Sequence, residues 1–182
     1  GCTDKLNIPW PARYNQYNVL VMKKLIRKYL PECVYGGVDG LVTTFAIVTA
    51  SIGIGASAGT ILVLGVANVL ADAWSMGSSD YLSSHSGVET GERSHDEKPP
   101  FNTAFATFVS FVLVGFVPLV PFIVALFVPE FTSYAAGWTA VVATMTTFAL
   151  VGYVSGTVSG GSRKKSAART FVVGAVAALI AF

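Results

Sequence analysis

The chain has 182 residues, of which 53% are hydrophobic and only 12% charged. Soluble domains carry about 25% charged residues, so this composition excludes an ordinary water-soluble domain and makes a lipid bilayer the natural solvent. A formal net charge of +2 excludes little, and two cysteines, Cys2 and Cys33, exclude a disulfide framework or a cysteine zinc site.

Residues 1–18 read as an irregular tail containing Pro9, Trp10 and Pro11, with no cleavable signal peptide. Over 19–30, Leu20, Val21, Leu25, Tyr29 and Leu30 alternate at helical spacing with Lys23, Lys24, Arg27 and Lys28. This is the pattern of a basic amphipathic helix lying among lipid headgroups, or of a solvated helix leading into a span. An N-terminal segment 1–33 is thus expected to precede a transmembrane domain over 34–182. Four apolar runs follow, roughly 34–54, 58–82, 101–127 and 131–158. Each exceeds the roughly 20 residues that cross the hydrocarbon core as a helix. A fifth run begins near 167–170 and stops with the sequence at Phe182, so the fifth helix is expected to be truncated. The expected fold is all-α, a polytopic five-helix transmembrane bundle.

All 12 Lys and Arg fall in three places. Lys5, Arg13, Lys23, Lys24, Arg27 and Lys28 precede the first run; Arg93 and Lys98 lie between the second and third; Arg163, Lys164, Lys165 and Arg169 lie between the fourth and fifth. Alternating spans put all of them on one side, and the positive-inside rule makes that side the cytoplasm. The N-terminus and a short loop over 85–100 are therefore expected there.

Ionisable residues within spans are costly and mark function by default. The first run contains Asp39. The second carries Asn68, Asp72, Met76 and Asp80 at intervals of four, hence on one helix face. Carboxylates beside a thioether form a mixed oxygen–sulfur surface suited to softer first-row metals. Ordinary readings compete: Asp39 snorkelling, Met76 packing, Asp72 bonding a neighbouring helix, and Asp80 solvated near the interface. In the loop, a helix over 85–97 would put Glu89, Glu92 and Asp96 on one face as a weaker metal-collecting set, against the commoner solvated connector. Gly36/Gly40, Gly55/Gly59 and Gly152/Gly156/Gly160 have the small-residue spacing of close helix packing. Pro118 and Pro121 predict a kink in the third run. The stretch Gly55-Ala56-Ser57-Ala58-Gly59 matches the nucleophile-elbow pattern. It lies between two spans, with His85 and His95 on the opposite side, so no hydrolase is expected.

Three segments resemble the vacuolar iron transporter family. They are Asp39-Gly40-Leu41-Val42-Thr43-Thr44-Phe45, then Asn68-Val69-Leu70-Ala71-Asp72-Ala73-Trp74-Ser75-Met76-Gly77, then Gly115-Phe116-Val117-Pro118-Leu119-Val120-Pro121-Phe122. The resemblance covers about 30–182 and implies a homodimer that exports ferrous iron, and often manganese, from the cytosol against protons. It makes 34–182 a transport domain, with Asp39 and Met76 as the pathway carboxylate and thioether and Asn68 and Asp72 as neighbouring positions. It implies Fe(II) or Mn(II) as cargo, with metal ions, protons, the bilayer and a second copy as partners. No enzyme activity, prosthetic group or nucleic-acid partner is expected. The membrane is vacuolar or another endomembrane in a eukaryote and the plasma membrane in a prokaryote. Many members carry a long glutamate-rich insertion between helices two and three, where this chain has only the short loop. A passive cation channel and a non-transporting scaffold of the same fold are the alternative functions.

Overall fold

The computed structural model describes residues 10–91, 98–128 and 130–181. Its elements in chain order are α1 (Trp10–Gly53), α2 (Ala58–Glu89), α3 (Pro100–Gly115), a 3₁₀ turn (Val117–Leu119), α4 (Val120–Phe127), α5 (Ser133–Val158) and α6 (Arg163–Ala181). The described residues contain helices and no strand.

From Trp10 onward the irregular tail and separate amphipathic helix expected before the first span are replaced by one helix, while residues 1–9 of that tail lie outside the described residues. α1 runs for 44 residues from Trp10 through Pro31 to Gly53. Pro11 sits in the first turn, where its missing N–H is not needed. Pro31 removes one internal donor from the ladder, and the remaining residues of 12–53 sustain the helix on both sides. At about 1.5 Å per residue, a helix of this length outruns a bilayer core of about 30 Å. Lys24–Gly53 is its membrane-compatible part. Ala58–Glu89, Pro100–Phe127 and Ser133–Val158 are likewise long and apolar enough to cross.

The turn between α1 and α2 explains the nucleophile-elbow match without chemistry. Gly55 has φ +72°, which ends α1. The Ser57 hydroxyl oxygen accepts the Thr60 N–H at 3.2 Å, capping α2. Gly55 therefore serves a turn, with nothing near its Cβ, whereas a Cβ on Gly59 would touch Leu126 of α4 at 4.0 Å. Pro118 and Pro121 do break the third span, into α3, the 3₁₀ turn and α4.

Packing runs along the other glycines. A Cβ on Gly36 would collide with the Thr107 carbonyl oxygen, and one on Gly40 would stand 2.6 Å from that of Phe111. The Gly36/Gly40 stripe is thus filled by α3 of the same chain and is not free for a second copy. Gly152 and Gly156 seat α6 on α5, where Cβ atoms would meet Ser166 and Arg163 backbone at 2.7 and 3.1 Å. Gly160, with φ +72°, makes the turn between those two helices. Val48, Ile61, Val69, Ala73, Phe111, Leu119, Phe122, Ala136 and Ala140 form a buried core shared by α1, α2, α3, α4 and α5 and the 3₁₀ turn. Large apolar side chains such as Trp74, Leu113 and Leu150 face outward, as a lipid solvent allows.

The fifth run is helical from Arg163 onward, earlier than its apolar stretch suggests. Arg163, Lys164, Lys165 and Arg169 occupy its first two turns, and it is not among the four membrane-compatible helices.

Candidate functional site

α1 presents Asp39 half-buried, on a face with Tyr35, Val38 and Val42. These line a cavity of about 600 Å³ between α1, Ser155 and Ser159 of α5, and Val173 of α6. Gly40, one residue on, is pressed against α3, so the α1–α3 contact turns Asp39 away from that helix. Thr43 donates its hydroxyl to the Asp39 main-chain carbonyl at 3.0 Å and leaves the carboxylate free.

On α2, Gly65 and Gly77 lie against Leu119 and Phe108. That register leaves Asn68, Asp72, Met76 and Asp80 half-buried beside the buried stripe. Asp39 and Asp72 stand half-buried on α1 and α2, and the charge of Asp72 bears on Asp39. Among the described residues, no hydrogen-bond donor and no basic side chain is paired with either. One turn from Asp72, the amide nitrogen of Asn68 is buried without a partner. An uncompensated pair of like charges inside an apolar bundle is expensive unless a cation or a proton is shared with it.

The other predicted residues divide. Met76 is half-buried and packs against the apolar core, the ordinary role of a helical methionine. Asp80 is not a solvated interfacial carboxylate: its Oδ2 accepts the buried Thr107 hydroxyl at 2.7 Å and is tied to α3. Glu89 lies at the far end of α2, 3.4 Å from His85 Nε2. α2 stops at Glu89, and Gly91 follows with φ +75°. Glu92 and Asp96 lie outside the described residues. Among the described residues, no three His, Cys, Asp or Glu side chains converge.

One carboxylate escaped the sequence reading. Glu32 Oε1 pairs with Lys98 Nζ at 2.7 Å, and its Oε2 is buried without a partner. Glu32 precedes Asp39 by seven residues, two turns along one face of α1. That spacing was available, but a helix assumed to begin a new span at residue 34 hides it.

Four membrane-length helices, two of which carry half-buried carboxylates, mark a polytopic membrane protein. The sequence profile of the VIT family matches residues 30–99 and 88–182. The chain belongs to that family. It is 47% identical over 55 residues to a protein of Toxoplasma gondii (strain ATCC 50861 / VEG) named vacuolar iron transporter, covering 30% of this chain and 18% of that one. A Plasmodium berghei protein of the same name is 35% identical over 75 residues, covering 40% and 28%. Similarity to vacuolar iron transporter 1 of Arabidopsis thaliana is 25% over 211 residues, covering 83% and 82%. The matched segments span less than a third of the Toxoplasma and Plasmodium relatives.

Proposed function

We propose that this chain is the subunit of a homodimeric transporter that moves ferrous iron or manganese out of the cytosol in exchange for protons. The observation that carries the reading is the Asp39–Asp72 pair, two carboxylates on neighbouring helices without a described basic or hydrogen-bonding partner. A divalent cation between them replaces repulsion with attraction, and two protons taken up in its absence neutralise the same two charges. Asn68 adds an amide oxygen one turn away. Met76 enters as a soft donor when α2 shifts from its packed position against the core, and it favours iron and manganese over calcium and magnesium.

The α1 face bearing Tyr35, Val38 and Asp39 is the place for a second copy, because Tyr35 is 65% exposed there while the glycine stripe is occupied by α3. The basic ends of the helices face the cytoplasm, in a vacuolar or other endomembrane of a eukaryote or in a prokaryotic plasma membrane. The relatives' name supports iron as cargo. The direct test is uptake into proteoliposomes across Fe(II), Mn(II), Co(II), Zn(II) and Ca(II), with the Asp39→Ala protein beside the unaltered one. Saturable Fe(II) or Mn(II) uptake that is lost in Asp39→Ala is expected. No uptake of any metal by correctly inserted protein sinks the proposal.

A further inference from the structure

Of the two carboxylates on α1, Asp39 carries the proposed transport and Glu32 takes no part in it. The Glu32 side chain is 12% exposed, and that of Lys98, two residues before α3, is 32% exposed. The Lys98 ammonium donates to Glu32 Oε1 at 2.7 Å. Glu32 Oε2 is buried without a hydrogen-bond partner among the described residues. Beside this pair, Asn102 in the first turn of α3 donates its amide N–H to the Tyr29 hydroxyl at 3.4 Å. Tyr29 and Glu32 are three residues apart and so neighbours on the surface of α1. Farther along α3 the Ser110 hydroxyl reaches the Glu32 main-chain oxygen at 3.5 Å, which holds the two helices together at this level. Lys28 lies over the Tyr29 ring, 5.6 Å from its centroid, and forms no ion pair with Glu32. Apart from the ammonium, this polar patch offers two carboxylate oxygens, a phenol oxygen and an amide oxygen, donors that suit a metal cation.

We propose that Lys98 is a tethered competitor for divalent metal: its ammonium holds the cation position at Glu32, and an incoming ion must displace it. An ion pair kept only to join two helices gains little from burial, and apolar replacements are often neutral or stabilising. Leaving one buried carboxylate oxygen unmet adds to that cost. The same arrangement suits a position whose occupant changes. Lysine is a compact single charge on a flexible stem that can swing out toward water. A divalent cation can take both carboxylate oxygens, including the one the lysine leaves unmet. Glu32 lies two turns, about 10 Å, before Asp39 on one face of α1, toward the basic helix ends. A cation entering from that side meets Glu32 first, so Lys98 raises the metal concentration at which the path fills. That consequence for transport rests on the function proposed above; the contest for Glu32 does not.

The test is Mn(II) binding to the full chain in detergent, read from the electron paramagnetic resonance signal of the free aqueous ion. It is made in the Asp39→Ala background, so that binding reports Glu32 and not the proposed transport site. Adding Lys98→Gln is expected to lower the half-saturating Mn(II) concentration by about tenfold or more. Lys98→Met, which keeps the aliphatic stem, gives the same gain, whereas Lys98→Arg, which keeps the charge, gives none. Glu32→Gln added to Lys98→Gln abolishes the gain. Thermal midpoints confirm that each variant is folded, and a structural ion pair alone would lower the midpoint of Lys98→Gln without improving Mn(II) binding. Unchanged binding in folded Lys98→Gln or Lys98→Met overturns the proposal, as does a gain that survives Glu32→Gln or appears equally in Lys98→Arg. The measurement involves no transport, so its failure and a failure of metal uptake by the unaltered chain are read separately.

Discussion

At the scale of single residues, the chain treats its intramembrane carboxylates in three ways. Glu32 has a lysine, Asp80 has a threonine hydroxyl, and Asp39 and Asp72 have no hydrogen-bonding or ion-pair partner among the described residues. This difference makes opposite predictions for similar substitutions. Asp39→Ala lowers metal transport at subsaturating concentration by at least about tenfold, the consequence of losing only ~1.4 kcal/mol of cation binding. Asp72→Asn removes repulsion between like charges, so the metal-free protein melts at a higher temperature while transport falls, the trade expected where function stores strain. Scanning both proteins by thermal unfolding in detergent, with and without Mn(II), checks the pair. Mn(II) should raise the unaltered midpoint and leave Asp39→Ala in place; a metal-induced rise in Asp39→Ala equal to that of the unaltered chain dismisses this site. Thr107→Val has the reverse signature. It strands the half-buried Asp80 carboxylate and costs about 1–3 kcal/mol of stability without entering the proposed metal path.

At the scale of elements, close backbone approach decides which helices touch. Gly36 has no room for even a methyl group, since a Cβ would collide with the Thr107 main-chain oxygen of α3, which cannot swing aside. Gly36→Ala is therefore expected to destabilise the bundle by roughly 1–3 kcal/mol, the range for overpacking. Gly53 at the end of α1 meets nothing within 4 Å, and Gly53→Ala should be neutral or slightly stabilising. Thermal midpoints of the two variants, measured side by side, distinguish a packing role from a general intolerance of alanine. The four membrane-length helices, the proline break and the Gly152/Gly156 interface were legible in the sequence because each follows from hydropathy length, a missing donor or a repeated small residue. The partner of a small-residue stripe was not: Gly36 and Gly40 have the same spacing whether they receive α3 or a second copy. The continuity of α1 was hidden by Pro31, which reads locally as a boundary although the flanking helix tolerates it. Of the site, Asp39 and Asp72 were legible as costly charges within spans. Their proximity depends on the register between α1 and α2, which no local pattern specifies.

For the whole molecule, charge placement and the carboxylate pair lead to a directional machine. The short turn with Ser57 and the loop with Ser94 should lie on opposite sides of the membrane, because every Lys and Arg falls on the side of the second. Labelling with an impermeant maleimide checks this in a background where Cys2 and the exposed Cys33 are replaced; modification of Ser57→Cys and Ser94→Cys from one side refutes the topology. Direction then requires coupling. On the proposed exchange mechanism a proton and a divalent cation would compete for the same oxygens of Asp39 and Asp72, so that metal loading would expel protons and proton binding would favour metal release. Acid on the loading side should therefore raise the metal concentration needed for half-maximal transport, and acid on the opposite side should accelerate turnover. The proposed exchange requires the two carboxylates to face each side in turn, which helices shifting within the proposed dimer would provide. In proteoliposomes containing a pH-sensitive dye, Fe(II) or Mn(II) movement should drive protons the other way, and an imposed pH gradient should concentrate metal against its own gradient. Asp39→Asn retains a neutral oxygen ligand but cannot cycle a proton, so any residual metal flux in that variant should be uncoupled. Metal that equilibrates without proton movement, at a rate indifferent to pH on either side, would identify a passive cation channel and remove the exchange mechanism.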